Sequence, residues 1–150
     1  MHSKACCTAL RIMLALLPAT VLAVPEAAAP TALERHTAEC VAALDVGTED
    51  LARQVKAGRD ELRPQLQDWL QHGTAFIGTA YLSGQRDERR SRSLLDEARE
   101  AQKSLPESQL RARQSACSDE GAALLTQSNP FSRALVSRLA ANRLKKLLGE

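Results

Sequence analysis

Aromatic side chains are scarce in this 150-residue chain: one Trp, one Tyr and two Phe, or 3% of its residues. β-Branched residues are also few, and no run alternates apolar and polar with a period of two. Strands depend on both features, so no sheet is expected. The sequence has no Cys-x-x-Cys, Gly-x-Ser-x-Gly, P-loop or Gly-x-Gly-x-x-Gly pattern. Nothing therefore frames a redox dithiol, a serine nucleophile or a phosphate cradle. No internal repeat and no glycosylation sequon occur. What remains is rich in Ala, Leu, Glu, Gln and Arg, a helix-forming composition.

Residues 1–23 carry the three parts of an export signal. Lys4 and Arg11 give the positive start, Ile12 to Leu22 the apolar stretch, and Val21-Leu22-Ala23 the small-residue cleavage site. A cut within Ala27 to Ala29 is the alternative. The apolar stretch is shorter than the roughly 20 residues of a spanning helix and contains Pro18, so no stable membrane insertion is expected after cleavage. Cys6 and Cys7 precede the apolar stretch, which argues against a lipid anchor. Removing the segment removes the formal charge of +2, and the remainder carries equal numbers of acidic and basic residues. A nucleic-acid partner is thus not expected. Arginine outnumbers lysine 15 to 5, which suits a GC-rich bacterial genome, so the expected location is the periplasm or the medium.

Residues 24–30 read as a short linker and residues 31–150 as a single helical domain, large enough to bury about two-thirds of its unfolded surface. Thr31-Ala-Leu-Glu34 is a capping box opening a first helix, with Leu33, Cys40, Val41 and Leu44 on its core face and Gly47 at its end. Thr48 then caps a long helix over 48–83. Val55, Leu62, Trp69 and Phe76 recur along it every seven residues, with Leu51, Leu66 and Ala80 beside them. The stripe passes through Pro64 in phase, so a kink is expected there; two helices broken at Gly73 are the alternative. A third helix spans about 87–103. Ser104-Leu-Pro-Glu107, a second capping box, opens a fourth to about 128, and Asn129-Pro130 opens a fifth. The fifth presents Phe131, Leu135, Val136, Leu139 and Leu147 on an arc expected to close the core. The expected fold is an all-α, disulfide-linked bundle of four to five helices.

Without the export signal, Cys40 and Cys117 are the remaining cysteines, and in an oxidising compartment they are expected to pair. With neighbouring helices antiparallel, Cys40 falls level with residue 55 and Cys117 with residue 53, a difference of roughly 3 Å in helix rise. The bond is feasible if the first and fourth helices are neighbours. The same placement leaves residues 64–104, carrying Trp69, Phe76 and Tyr81, as a helical arm that either folds back or projects with its apolar side against another molecule. That arm is the expected interaction surface, and a homodimer is one way to cover it.

Other constellations carry less. His36 and Cys40 share a helix face, but with His72 and Cys117 the only further soft ligands, no metal site and no cofactor are expected. Arg86-Asp-Glu-Arg-Arg-Ser-Arg92 could grip an anion, with Arg86, Arg89 and Arg90 foremost. Its plainer reading is a solvated helix start. Acid pairs such as Asp60-Glu61 point about 100° apart and do not converge for acid–base chemistry. The expected activity is non-catalytic: binding an envelope or extracellular protein as a holdase, an immunity-type inhibitor or an accessory subunit. A carrier of a small apolar ligand between helices is the alternative, and an enzyme ranks third. Closing a loop of this length stabilises by about 4.5 kcal/mol before strain. Cys117→Ala should therefore lower the melting temperature in oxidising buffer; an unchanged melt would show that the bridge is absent or contributes little.

Overall fold

A computed structural model describes residues 29–84 and 87–150. The export-signal reading and Arg86 lie outside these residues. The described chain is all-α, with five helices joined by short connections and, among the described residues, no strand. They are α1 (Ala32–Lys56), α2 (Arg63–Leu82), α3 (Glu88–Lys103), α4 (Glu107–Gln127) and α5 (Pro130–Leu148). A single 3₁₀ turn, Asp60–Leu62, precedes α2.

Two starts follow the caps read from sequence. At Thr31 the hydroxyl accepts from Glu34 N–H and the Glu34 carboxylate accepts from Thr31 N–H at 2.7 Å. At Asn129 the side-chain oxygen accepts from Ser132 N–H at 2.8 Å, with Pro130 in the first turn. The box at Ser104 does not form. Ser104 closes α3 and donates its hydroxyl to Ala101 C=O, and Pro106 precedes α4 without a side-chain cap.

The first two helices break in a different place from that expected. Gly47 lies inside α1, and Thr48 is buried there, donating to Asp45 C=O. The chain turns at Gly58, whose φ of +98° favours glycine. Pro64 then occupies the first turn of α2, where its missing N–H costs nothing, so there is no kinked 48–83 helix. The sevenfold stripe survives this break. Val55 ends on α1, Trp69 and Phe76 on α2, and all face the core because α1 and α2 fold back antiparallel.

Gly47 has a packing role. A Cβ there would overlap the Trp69 ring, at 2.8 Å from Cε3, and would also crowd Gln114. Glycine thus lets the indole lie against the α1 backbone. Gly121 does the same for α4, where a Cβ would come within 2.9 Å of His72 Cα.

α1 is the central element. It packs against α2 and α3 along its length, and also against α4 and α5, so residues 40–45, 47 and 48 are all buried. The Cys40–Cys117 disulfide joins α1 to α4 with Cα atoms 5.2 Å apart. Asp45, buried on α1, is held by Arg99 of α3 and Arg143 of α5. Residues 64–104 do not project: α2 and α3 pack on α1 and make little contact with each other. The fifth helix also differs from expectation. Val136, Ala140 and Leu144 face the core, whereas Phe131, Leu135 and Leu139 are exposed, because α5 packs mainly on α2 and little on α4. Leu33, expected inside, is exposed.

Alanine exceeds glycine in helix propensity by about 1 kcal/mol. Gly47→Ala should nevertheless destabilise the chain by about 1–3 kcal/mol, because the Trp69 ring must move. Urea unfolding measures this, and an equal or raised midpoint would show that the close approach does not exist.

Candidate functional site

The feature that stands out is a groove of about 310 Å³ over the N-terminal half of α1. It exists because α2 and α3 both pack on α1 while leaving a gap between them. Thr37, Ala38 and Val41 form its floor. Ile77, Ala80 and Tyr81 form the α2 wall, and Ser91, Leu94 and Leu95 the α3 wall. The helix period accounts for this lining: 77 and 81, like 91 and 95, are four apart and share a face. Ile77 and Tyr81 are exposed at one lip.

Acids sit at the rim. Glu34 and Glu88 both line the groove. Hydrogen bonds from the Thr31 backbone and hydroxyl hold the Glu34 carboxyl below its usual range; partial burial opposes this, and the Arg90 and Arg35 charges add to it. Arg90 approaches Glu34 at 3.4 Å, so the α3 start is tied to α1 across the groove end. One helical turn beyond Val41, outside the groove lining, buried Asp45 is held by Arg99 and Arg143.

Of the residues expected to form an interaction surface, the fold brings Tyr81 and Arg90 to this groove and leaves Arg89 exposed on the outer side of α3. Trp69 and Phe76 are placed in the core instead. Phe76 is buried with Cys40 and Leu44, and Trp69 packs between two core clusters. Ile77, Leu94 and Val41 had no signal as site residues; their apolar character alone reads as core.

A second cleft, on the α1–α4 side, lies over the disulfide and is lined by His36, Glu39, Arg113 and Glu120 among others. His36 Nε2 donates to Glu120 Oε2 at 2.8 Å and lies 3.9 Å from Cys40 Sγ. Both contacts use the same nitrogen, so this is not a thiol–imidazole–carboxylate relay, which needs one partner on each ring nitrogen. The His36 ring also meets the Phe76 edge, with centroids 6.4 Å apart. A count of histidines and cysteines pointed to His72 as a further ligand, but His72 pairs with Ser118 at 2.9 Å, and Glu120 converges on His36 and Cys40. With Cys40 oxidised, the cluster offers a cation two ligands, short of the usual four.

No protein-family model matches this chain, nor does any curated protein or solved structure. The groove and the disulfide cleft therefore have to be read from their own chemistry.

Burial pushes the His72 pKa down, against weaker opposing pulls from Asp68 and Asp119. The unfolded chain binds this proton more readily, so the stabilisation is complete above the free histidine value of about 6.5 and is lost as pH falls through the folded value. Melting temperature should thus fall on acidification from pH about 7.5 to about 5, and His72→Gln should lose less over that window. Equal losses in both proteins would show that His72 does not couple folding to pH.

Proposed function

We propose that the chain is an exported, non-catalytic protein that works by binding another protein, and that the α1–α2–α3 groove receives an apolar segment of that partner. The observation that carries this reading is the groove itself, mainly apolar on its floor and both walls, with Glu34 and Glu88 at its rim and Arg90 paired to Glu34. Such a trough suits an amphipathic helix or an extended apolar segment, with the walls reading alternate side chains and the acidic rim setting register. Ile77 and Tyr81 line the groove while about half or more exposed, and neither belongs to a core cluster. Export is supported by the Met1–Ala23 pattern together with the Cys40–Cys117 bond; among the described residues no helix is long and apolar enough to cross a membrane. The carrier reading has one specific support, since about 310 Å³ lies within the size range of small-molecule sites.

A photo-cross-linking residue at Ile77 should give a discrete protein adduct in the native compartment. Adding Tyr81→Glu, at an exposed position, should reduce its yield by more than about tenfold, as a central contact would. An adduct at twice the chain mass would make the partner a second copy. Failure to form an adduct, or one indifferent to Tyr81→Glu, would overturn the reading. Native mass spectrometry showing a bound small apolar molecule, lost in the same variant, would favour the carrier.

A further inference from the structure

We infer that the disulfide cluster is also a metal site in waiting: on reduction of the Cys40–Cys117 bond, His36, Cys40, Cys117 and Glu120 hold one Zn²⁺ between α1 and α4. The inference is independent of the groove reading. Its basis is that two rigid helices each supply two ligands at helical spacing. His36 and Cys40 are four apart on α1, and Cys117 and Glu120 are three apart on α4, so each pair projects from one helix face.

The distances fit a tetrahedral ion. Ligand atoms of His36, Cys40 and Glu120 already lie within 4.8 Å of one another. With Zn–S bonds of about 2.3 Å and Zn–N and Zn–O bonds of about 2.0–2.2 Å, ligand–ligand separations are about 3.8 Å for S–S, 3.6 Å for S–N and 3.4 Å for N–O. The observed Sγ–Nε2 and Nε2–Oε2 separations are 3.9 and 2.8 Å. The imidazole and carboxylate need shifts of a few tenths of an ångström. The sulfurs, once released, need only side-chain rotation from Cα atoms 5.2 Å apart. Two thiolates and an imidazole favour Zn²⁺ over hard cations such as Mg²⁺. The sulfurs are buried, while His36 and Glu120 stand at the cleft mouth, which gives the ion a path in. Arg113 lines the same cleft, paired with Glu39 at 3.8 Å.

The chemistry balances with a dithiol as reductant. Thiolate exchange breaks the Cys40–Cys117 bond, the dithiol is oxidised to its disulfide, and both cysteines become thiols. Zn²⁺ then displaces one proton from each thiol to solvent and forms two Zn–S bonds. Glu120 exchanges its hydrogen bond from His36 for the metal, and His36 gives up its Nε2 proton to solvent while Nδ1 takes one from it, so the neutral ring donates its Nε2 lone pair. The covalent clip between α1 and α4 is thereby replaced by a coordinate one at the same place.

The test uses the full chain, reduced anaerobically with a phosphine, which competes little for metal, and titrated with Co²⁺ as a spectroscopic stand-in. One Co²⁺ per chain should give tetrahedral d–d absorption with thiolate charge transfer, and Zn²⁺ should displace it. The oxidised chain and Cys117→Ser should lack the thiolate-rich spectrum. His36→Ala and Glu120→Gln should each weaken binding by about tenfold or more, as loss of a ligand does. If the reduced apo chain loses helicity, one equivalent of Zn²⁺ should restore it by circular dichroism. A reduced chain that takes up no stoichiometric metal, or that binds it with an affinity indifferent to His36 and Glu120, or that Zn²⁺ fails to refold, would overturn the proposal.

Discussion

The structure depends on burying one helix from almost every side. Residues 40–48 of α1 make two and a half turns, and only Val46 among them keeps partial exposure. An α-helix enclosed on all faces can rely on no single amphipathic stripe, and its neighbours must come close. That requirement explains the run Ala42, Ala43 and Gly47, whose small side chains let three different helices approach the same backbone. It also explains the two ties placed there. The disulfide pins α4 on one face, and Asp45 draws Arg99 and Arg143, from α3 and α5, onto another. A buried carboxylate with two guanidinium partners adds little net stability over an apolar packing of the same volume. Its consequence here is registry: two helices, α3 and α5, are fixed at one level of α1. The fully buried Gln102 of α3 shows the cost of so tight a wrap, because neither end of its amide finds a hydrogen-bond partner among the described residues.

The same constraint leaves the groove. Four helices surround α1, but α5 is drawn to α2, and its core face of Val136, Ala140 and Leu144 is used up there and on the lower half of α1. Among the described residues, nothing then fills the gap between α2 and α3 above Asp45. The fold has thus exchanged complete closure for a trough whose floor is its most rigid element.

Much of the fold was legible because local signals act at short range. The Thr31 box and the Asn129–Pro130 start each need only four residues, and both formed as read. The cysteine pair followed from chemistry, and the bond joins the expected helices. The errors arose where one residue type has two physical uses. Gly47 reads as a stop, yet it is a seat for Trp69, whereas Gly58, which does stop the helix, lies in a run without a cap signal. The Val55–Phe76 stripe could not separate the cases, since a core-facing stripe keeps its phase whether the helix runs on or folds back. The α5 arc misled for a related reason: Phe131, Leu135 and Leu139 share apolar character with Val136 but lie on the other side of the helix, and only the position of α2 decides which side is inside. Glu120 was within reach, since residues three or four from each half of a disulfide on facing helices should converge beside it.

The division of labour around α1 bears on how binding and folding can be separate in so small a domain. Cys40 and Gly47 point toward α4 and α2, Ala42 and Asp45 toward α3 and α5, and Thr37 and Val41 toward the groove. The side chains at the lip, Ile77 and Tyr81, thus contribute little to the clusters that hold the helices together. Fully burying each in a partner would stabilise a complex by about 1.5–3 kcal/mol. Against a cost of association of about 4–15 kcal/mol, two such residues alone give at best a marginal complex. The proposed partner must therefore also use the floor and the α3 wall, Val41, Leu94 and Leu95, which are already held rigid. That preorganisation lowers the ordering cost on this side of the interface and leaves it to the incoming segment.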